Sequence, residues 1–175
     1  MASFMDRIGF DMMALTFKVR DLFSPPEGVL LESGISEGFK ILDYGCGPGS
    51  YSVAAARLVG SKGEVYAADM SPIAMKYVKK AILKNRLNNI KVIQTDCATN
   101  LPDNSIDVVL LYDIYHGLKQ PQRVLQELYR VLKSEGTLSF SDHHMKEEDI
   151  IYQLTKDRLF KLSHKGNKTF SFIKE

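Results

Sequence analysis

Ile41-Leu42-Asp43-Tyr44-Gly45-Cys46-Gly47-Pro48-Gly49-Ser50 reads as the end of a buried strand, a turn carrying three glycines, and the first residue of a helix. Glycine allows the tight dihedrals such a turn needs and lets a ligand lie against bare backbone. In a doubly wound sheet the first strand–helix turn lies at the carboxyl edge, where ligands bind. Working outward, Ser50 to Leu58 reads as a helix stopping at Gly60, and Val65 to Ala68 as a short buried strand. Ser71-Pro72 is a cap followed by a proline at the first helical position, with Ile73, Tyr77 and Ala81 along one face. Val92-Ile93, Ile106 to Leu111 and Thr137 to Phe140 are further strands. A helix lined by Val124, Leu125, Leu128, Val131 and Leu132 precedes the last of these. Glu147, Glu148 and Asp149 mark the start of another helix, which carries Ile150 to Leu154. Phe160 to His164 and Thr169 to Ile173 read as a closing hairpin around Lys165-Gly166-Asn167. Short, continuously apolar strands alternating with helices define an α/β fold with a parallel sheet covered on both faces.

Upstream of the loop, Met5, Ile8, Met12, Leu15, Val19 and Leu22 recur at three- and four-residue intervals over residues 4–23, the stripe of an amphipathic helix. That helix has two readings, a mobile lid over an acceptor site or a dimer contact that buries its stripe. Ser24-Pro25-Pro26-Glu27 reads as a capping box opening a short helix that stops near Gly34. A chain of 175 residues accommodates one domain with a full core. The expected organisation is a single domain over 1–175, with N-terminal helices in 1–34, the core motifs in 36–142, and a helix and hairpin in 143–175.

Composition narrows the partners. Hydrophobic content of 45% and charged content of 25% are those of a globular protein. The formal charge of +2 gives no global push toward polyanions, which favours a small-molecule partner over nucleic acid. Lys76, Lys79, Lys80, Lys84 and Arg86 form a basic run, read as a solvated helix face, with an RNA or anionic-lipid patch as the alternative. Cys46 and Cys97 make no disulfide framework and no zinc-type spacing, so no metal is expected. With no span-length apolar run and no signal-peptide pattern, a reducing cytoplasm is the expected compartment.

The residues around the glycine loop discriminate among nucleotide ligands. A phosphate-binding P-loop needs Gly-Lys-Ser/Thr, and Gly49 is followed by Ser50-Tyr51. A dinucleotide fingerprint needs its third glycine at position 50, where serine stands, which disfavours a NAD-dependent oxidoreductase. S-adenosylmethionine (SAM) carries an ammonium and a positive sulfonium but no phosphate, and Asp43 suits it better than it suits a pyrophosphate. Asp69 ends the second strand, placed to accept from ribose hydroxyls, and Asp96-Cys97 ends the third, near an adenine amino group.

Ile41-Leu-Asp-Tyr-Gly-Cys-Gly-Pro-Gly, Ala68-Asp-Met-Ser, Thr95-Asp-Cys, Leu101-Pro-Asp-Asn-Ser-Ile-Asp and Val131-Leu-Lys-Ser-Glu-Gly-Thr-Leu resemble, in order, the motifs of class I SAM-dependent methyltransferases. The resemblance covers roughly residues 36 to 142 and is nearest to the branch of ubiquinone and menaquinone C-methyltransferases and arsenite methyltransferase-like proteins. It implies a Rossmann-like, doubly wound seven-stranded sheet, mostly parallel with the last strand antiparallel. It also implies that Gly45, Cys46, Gly47 and Gly49 lie under the methionine part of SAM. Asp69 is then on the ribose, Met70 against the adenine, Asp96 and Cys97 at the adenine edge, and Tyr112 near the methyl group. Arsenite methylation in that branch uses several cysteines, and only two are present here, so arsenite is disfavoured. Tyr112-Asp113-Ile114-Tyr115-His116 departs from the Asn/Asp-Pro-Pro-Tyr/Phe of base methylases.

The expected function is methyl transfer from SAM to a small-molecule O, C or S nucleophile, by a monomer or homodimer. An RNA or protein methyltransferase and a SAM-binding protein without transfer activity are the alternatives. In-line displacement with a neutral leaving group requires positioning above all, and a base only where the acceptor must lose a proton. His116, Asp113, or the His143-His144 pair are the candidates for that base, with Asp142 ending strand five beside them.

Overall fold

A computed structural model describes residues 4–175, with side chains from Arg7 onward; Met5 of the expected N-terminal stripe lies outside the described side chains. Strand β1 (Lys40–Tyr44) runs inside the sheet, parallel to β2 (Glu64–Asp69) on one side and β4 (Ile106–Tyr112) on the other. Parallel strands β3 (Ile90–Gln94) and β5 (Leu132–Ser141) continue it outward on the two sides. The closing hairpin is β6 (Phe160–Lys165) and β7 (Phe170–Lys174), with β7 inserted antiparallel between β5 and β6. The seven strands therefore stand in the order β3-β2-β1-β4-β5-β7-β6, as expected of a Rossmann-like doubly wound sheet. Because the order reverses between β1 and β4, the turns leaving those strands diverge and open a crevice at their carboxyl ends.

Helices α3 (Ser50–Val59), α4 (Pro72–Asn85), α5 (Pro121–Val131) and α6 (Glu147–Thr155) follow their strands. Successive residues of a strand face opposite ways, so the central strands must be apolar throughout. In β4, Val108, Leu110 and Tyr112 join the core under α2 (Pro26–Glu32), α3 and α4. Val109 and Leu111 join a second core with Leu125 and Leu128 of α5, Ile150 and Leu154 of α6, and the hairpin. Helix α4 starts as its sequence dictates: the Ser71 hydroxyl accepts hydrogen bonds from the amides of Ile73 at 3.2 Å and Ala74 at 3.5 Å.

Local readings differ from the structure at four places, each for a physical reason. The Ser24 capping box does not form, because α2 begins at Pro26, Pro25 holds the cap position, and Ser24 is one residue out of reach. The Ser24 hydroxyl instead accepts from Lys168 Nζ at 2.8 Å. Leu132, expected to end α5, opens β5, pairing with Ile106 before a register shift. On α4 the fully buried face is Ala74, Met75 and Val78, rotated from the expected Ile73, Tyr77 and Ala81. Helix α1 (Phe4–Phe23) lies down on the face opposite its expected stripe. Met12, Leu15 and Leu22 are 66%, 62% and 79% exposed, and Ile8 and Val19 are exposed beside them. The helix holds a second apolar set on its other side, Phe10, Met13, Ala14 and Phe17. Its larger rings take the contact with the body of the protein.

Phe140 is fully buried, its ring meeting Tyr115 and Phe172 edge-on with centroids 5.6 and 6.5 Å away. Phe140→Ala should cost about 3–5 kcal/mol through lost transfer energy and the residual cavity. Urea unfolding reads this directly, and a loss under about 1 kcal/mol would show that the two-layer packing around β5 is misassigned.

Candidate functional site

A cavity of about 420 Å³ sits in the crevice at the carboxyl ends of β1, β2 and β4. Asp43, Gly45, Cys46, Gly47, Asp69, Met70, Asp96 and Tyr112 line it, as do Asp113 and His116. Ten of the residues expected from sequence are thus brought to one hollow. Gly49, Cys97 and His143 are not part of its lining. Gly49 acts in the backbone: at φ +91° it is the left-handed residue before α3, and a side chain there would press to 3.1 Å from Val78 Cγ2. Cys97 is half-buried against the α5 core.

The glycine loop is fixed by neighbours on both sides. The amides of Gly45 and Cys46 donate to the Ala68 carbonyl at 2.8 and 3.0 Å. Gly47 donates to Asp69 Oδ2 at 3.0 Å, and Ser71 donates to Asp69 Oδ1 at 2.8 Å. At Gly45, where φ is +82°, an added Cβ would lie 2.3 Å from Ile114 Cδ1. Only glycine lets the turn after β4 settle onto the turn after β1. Each Asp69 oxygen keeps a free lone pair, the arrangement a vicinal diol requires.

Asp43 is buried, and its Oδ2 accepts from the Ser52 hydroxyl at 2.5 Å. Burial pushes its carboxyl up to about 6, the charge of Asp69 adds to the rise, and the Ser52 hydrogen bond opposes it. A buried carboxylate at a cavity wall is stabilised by a cationic ligand. Burial drives the Cys46 thiol far up and so removes it as a nucleophile. The Tyr112 hydroxyl shares a 2.7 Å hydrogen bond with Ser139 Oγ, and burial likewise raises its pKa, so the phenol stays neutral.

Two histidine–aspartate pairs flank the cavity mouth. His116 Nδ1 lies 2.9 Å from Asp142 Oδ2 and 3.0 Å from Oδ1, while the His116 amide donates to Oδ2 at 3.1 Å. Asp142 is buried and also accepts from the His144 amide at 3.1 Å. Burial acts to raise its pKa, but the hydrogen bonds from the His116 ring and the two amides outweigh it and hold the carboxyl below its usual value. An ionised Asp142 selects the tautomer with hydrogen on Nδ1, leaving Nε2 as the basic nitrogen. His143 Nδ1 pairs instead with Asp113 Oδ1 at 2.7 Å, in an exposed position outside the cavity lining. The ring of His144 stacks between the others, 4.3 Å from His116 and 3.9 Å from His143. Of the candidate bases, His116 alone combines the cavity wall with a buried carboxylate partner.

The sequence offered α1 as a lid over the site but not the residues that face it. Phe10, Met13, Phe17 and Arg20 of α1 line the same cavity, with Tyr51, Ile114 and Leu118. The Arg20 guanidinium lies 4.5 Å from the Phe17 ring centroid and 5.0 Å from that of Tyr51. The spacing of Phe10, Met13 and Phe17 was a usable signal, but the longer aliphatic stripe on the other side masked it. The expected basic run is exposed on α4, as a solvated face is. Among the described residues no group of three or more His, Cys, Asp or Glu is placed to hold a metal ion. No described helix is long and apolar enough to cross a membrane.

Residues 35–171 match the family described as a methyltransferase domain. The chain belongs to that family. A demethylmenaquinone methyltransferase of Geobacillus sp. (strain WCH70) is 30% identical to this methyltransferase over 129 residues, 73% of this chain and 55% of the relative. The chain thus spans about half the length of such curated relatives. A SAM-dependent methyltransferase structure from Aquifex aeolicus superimposes with TM-score 0.77 and 28% identity, covering 89% of this chain and 91% of that one. An arsenic(III) SAM methyltransferase from Chlamydomonas reinhardtii is 35% identical with TM-score 0.58, covering 63% of this chain and 40% of that one.

The raised carboxyl of Asp43 gives a pH signature. Unfolded, the group ionises near 4; folded, it ionises near 6. Folding therefore takes up a proton between those values, and this group's contribution to stability falls as pH rises through that window. A cationic ligand favours the ionised form, so its affinity should rise over the same window, by up to about tenfold per pH unit below 6. Calorimetric titration with SAM at pH 5 and pH 7.5 should show this gain. The Asp43→Asn variant should bind weakly with a flat pH dependence; a wild type that binds equally at both pH values would sever Asp43 from the ligand.

Proposed function

We propose that this methyltransferase binds SAM in the β1–β2–β4 crevice and transfers its methyl group to a small, largely apolar acceptor that gives up a proton. The observation that carries this reading is one cavity holding the three strand-end carboxylates Asp43, Asp69 and Asp96 together with His116, itself oriented by buried Asp142. The donor set fits the cofactor: Asp43 for the ammonium, Asp69 for the ribose diol, Asp96 and Met70 for the adenine, and Arg20 for the carboxylate. When bound, SAM supplies an electrophilic methyl on a positive sulfonium.

The chain's residues do the rest. The rings of Phe10, Phe17, Tyr51 and Tyr112 with Met13, Ile114 and Leu118 form the apolar wall that excludes water and orients a flat or aliphatic acceptor. His116 Nε2 takes the proton from the acceptor's hydroxyl or activated carbon, and Asp142 stabilises the imidazolium that results. Phenols and enolisable carbon acids are the acceptor class this arrangement suits. The reading is supported by demethylmenaquinone methyltransferase similarity over most of the chain, and by the neutral phenol of Tyr112 and the neutral thiol of Cys46, neither of which takes part as a base. Arsenite remains a poor acceptor, since both cysteines belong to the cofactor motifs and Cys46 is buried.

Isothermal titration should show SAM and S-adenosylhomocysteine binding, with NAD silent and Asp69→Ala binding neither. Binding of NAD in place of the sulfur ligands would overturn the cofactor assignment. In a screen of phenolic and carbon-acid acceptors, His116→Ala should lower kcat by about 10²–10⁴ with little change in SAM affinity. Full turnover in that variant at every pH would remove His116 from the chemistry.

A further inference from the structure

Helix α1 carries apolar residues on both faces, and the body of the protein uses only one. Phe10, Met13 and Phe17 face the cavity, whereas Ile8, Met12, Leu15, Val19 and Leu22 are exposed. The exposed set advances by four, three, four and three residues. That is a strict 3.5-residue repeat, the narrow seam of a coiled coil, and differs from the broader stripe of a helix lying on a globular core. Phe23 and Leu31, 86% and 68% exposed, extend the patch beyond the helix end. A contiguous apolar surface of this kind marks an interaction site.

The charges beside the seam select the occupant. With Ile8, Leu15 and Leu22 at one core position of the heptad and Met12 and Val19 at the other, Asp11 and Lys18 fall on the same flank, one heptad apart. In an antiparallel pair of identical helices the apolar layers become Ile8 on Val19, Met12 on Leu15, and their two symmetry mates. That same register places Asp11 of each copy beside Lys18 of the other, twice over by symmetry. A parallel pair gains no such match, because identical flanking charges then meet their own kind or lie apart. The polar flank is mixed in sign, with Arg7, Asp11 and Lys18, unlike the uniformly basic polar face of helices that lie on anionic lipid. Tyr77 donates a hydrogen bond to Asp11, which holds that carboxylate at the border of the seam.

We propose that the outer face of α1 is a self-association seam, pairing two copies antiparallel through Ile8, Met12, Leu15 and Val19 with reciprocal Asp11–Lys18 ion pairs. Coiled coils of two heptads are marginal as free peptides because each helix must first form. Here α1 is already ordered against its own body, so association has only to bring two preformed surfaces together. The paired helix is also the cavity roof, so the second copy braces the element that carries Phe10, Met13, Phe17 and Arg20 over the proposed cofactor site.

Sedimentation velocity of the whole chain without ligand tests association independently of any methyl transfer. The wild type should pass from monomer to dimer as concentration rises from low to hundreds of micromolar. Leu15→Glu, at an exposed seam position, should remain monomeric with an unchanged circular dichroism spectrum and melting temperature. Asp11→Lys and Lys18→Asp should each weaken association about tenfold or more, since each juxtaposes like charges twice. The doubly swapped Asp11→Lys/Lys18→Asp chain should recover it, which no folding defect would do. A wild type monomeric throughout, or a double swap as weak as its parents, overturns the proposal. A monomer that co-sediments with phosphatidylglycerol vesicles, and loses this in Leu15→Glu, overturns it in favour of a lipid surface.

Discussion

The carboxylate of Asp69 accepts one hydrogen bond from Gly47 in the turn after β1 and another from Ser71 in the turn after β2. One acid therefore sets the spacing of two loops that belong to adjacent strands, and the cavity opens between those loops and the turn after β4. The parallel pairing of β1 with β2 carries Asp43 and Asp69 to the same edge, Asp43 opposite Ala67 and Asp69 two residues further along β2. Their proximity is part of why Asp43 gives up its proton reluctantly. Such a site is strained electrostatically until something positive enters it, and a parallel sheet gathers acids in this way because every strand ends on the same side.

That gathering explains what could be read in the chain before any coordinates. Strand ends are local events: an apolar run, then an acid or a glycine, each visible within a few residues. Asp43, Asp69, Asp96 and the glycine turn were accordingly legible, and parallel strand order converted their sequence spacing into one cavity. Ser71-Pro72 was legible for the same reason, since a cap is satisfied by amides two and three residues away. Where the outcome depended on a partner distant in sequence, reading failed. Ser24 looked like a cap but bonds to Lys168, and the pairing of His116 with Asp142 spans the turns after β4 and β5. Leu132 looked helical by periodicity, yet its pairing with Ile106 drew it into the sheet.

The glycines divide along a similar line. Gly45 is required by packing against Ile114, and at Gly49, whose φ is +91°, a side chain would also crowd Val78, both contacts made by side chains from other elements. Gly47 has Phe17 and Met13 of α1 at 3.7 and 3.9 Å from where a Cβ would sit, ordinary contact distances. Its demand is conformational, at φ +52°, and its amide serves Asp69. All three glycines thus hold a positive φ, packing adds a second demand at Gly45 and Gly49, and only Gly47 lies against the roof.

Helix α1 shows most clearly why periodicity alone cannot orient an element. Hydrophobic spacing identifies a helix and a face, but when both faces are apolar it cannot say which one meets the protein's own core. The deciding quantity is the shape of the surface beneath, where Phe10 meets the Tyr77 ring with centroids 5.2 Å apart and Phe17 and Met13 lie over the bare backbone of Gly47. Phe10 and Phe17 therefore turn inward and the aliphatic seam turns out. Burying one apolar set against the glycine turn and its neighbouring rings makes a roof for the hollow, and it leaves the other set for a surface of matching periodicity. The same twenty residues carry both patterns because 3.6 residues per turn allow two stripes to run on opposite sides without sharing a position.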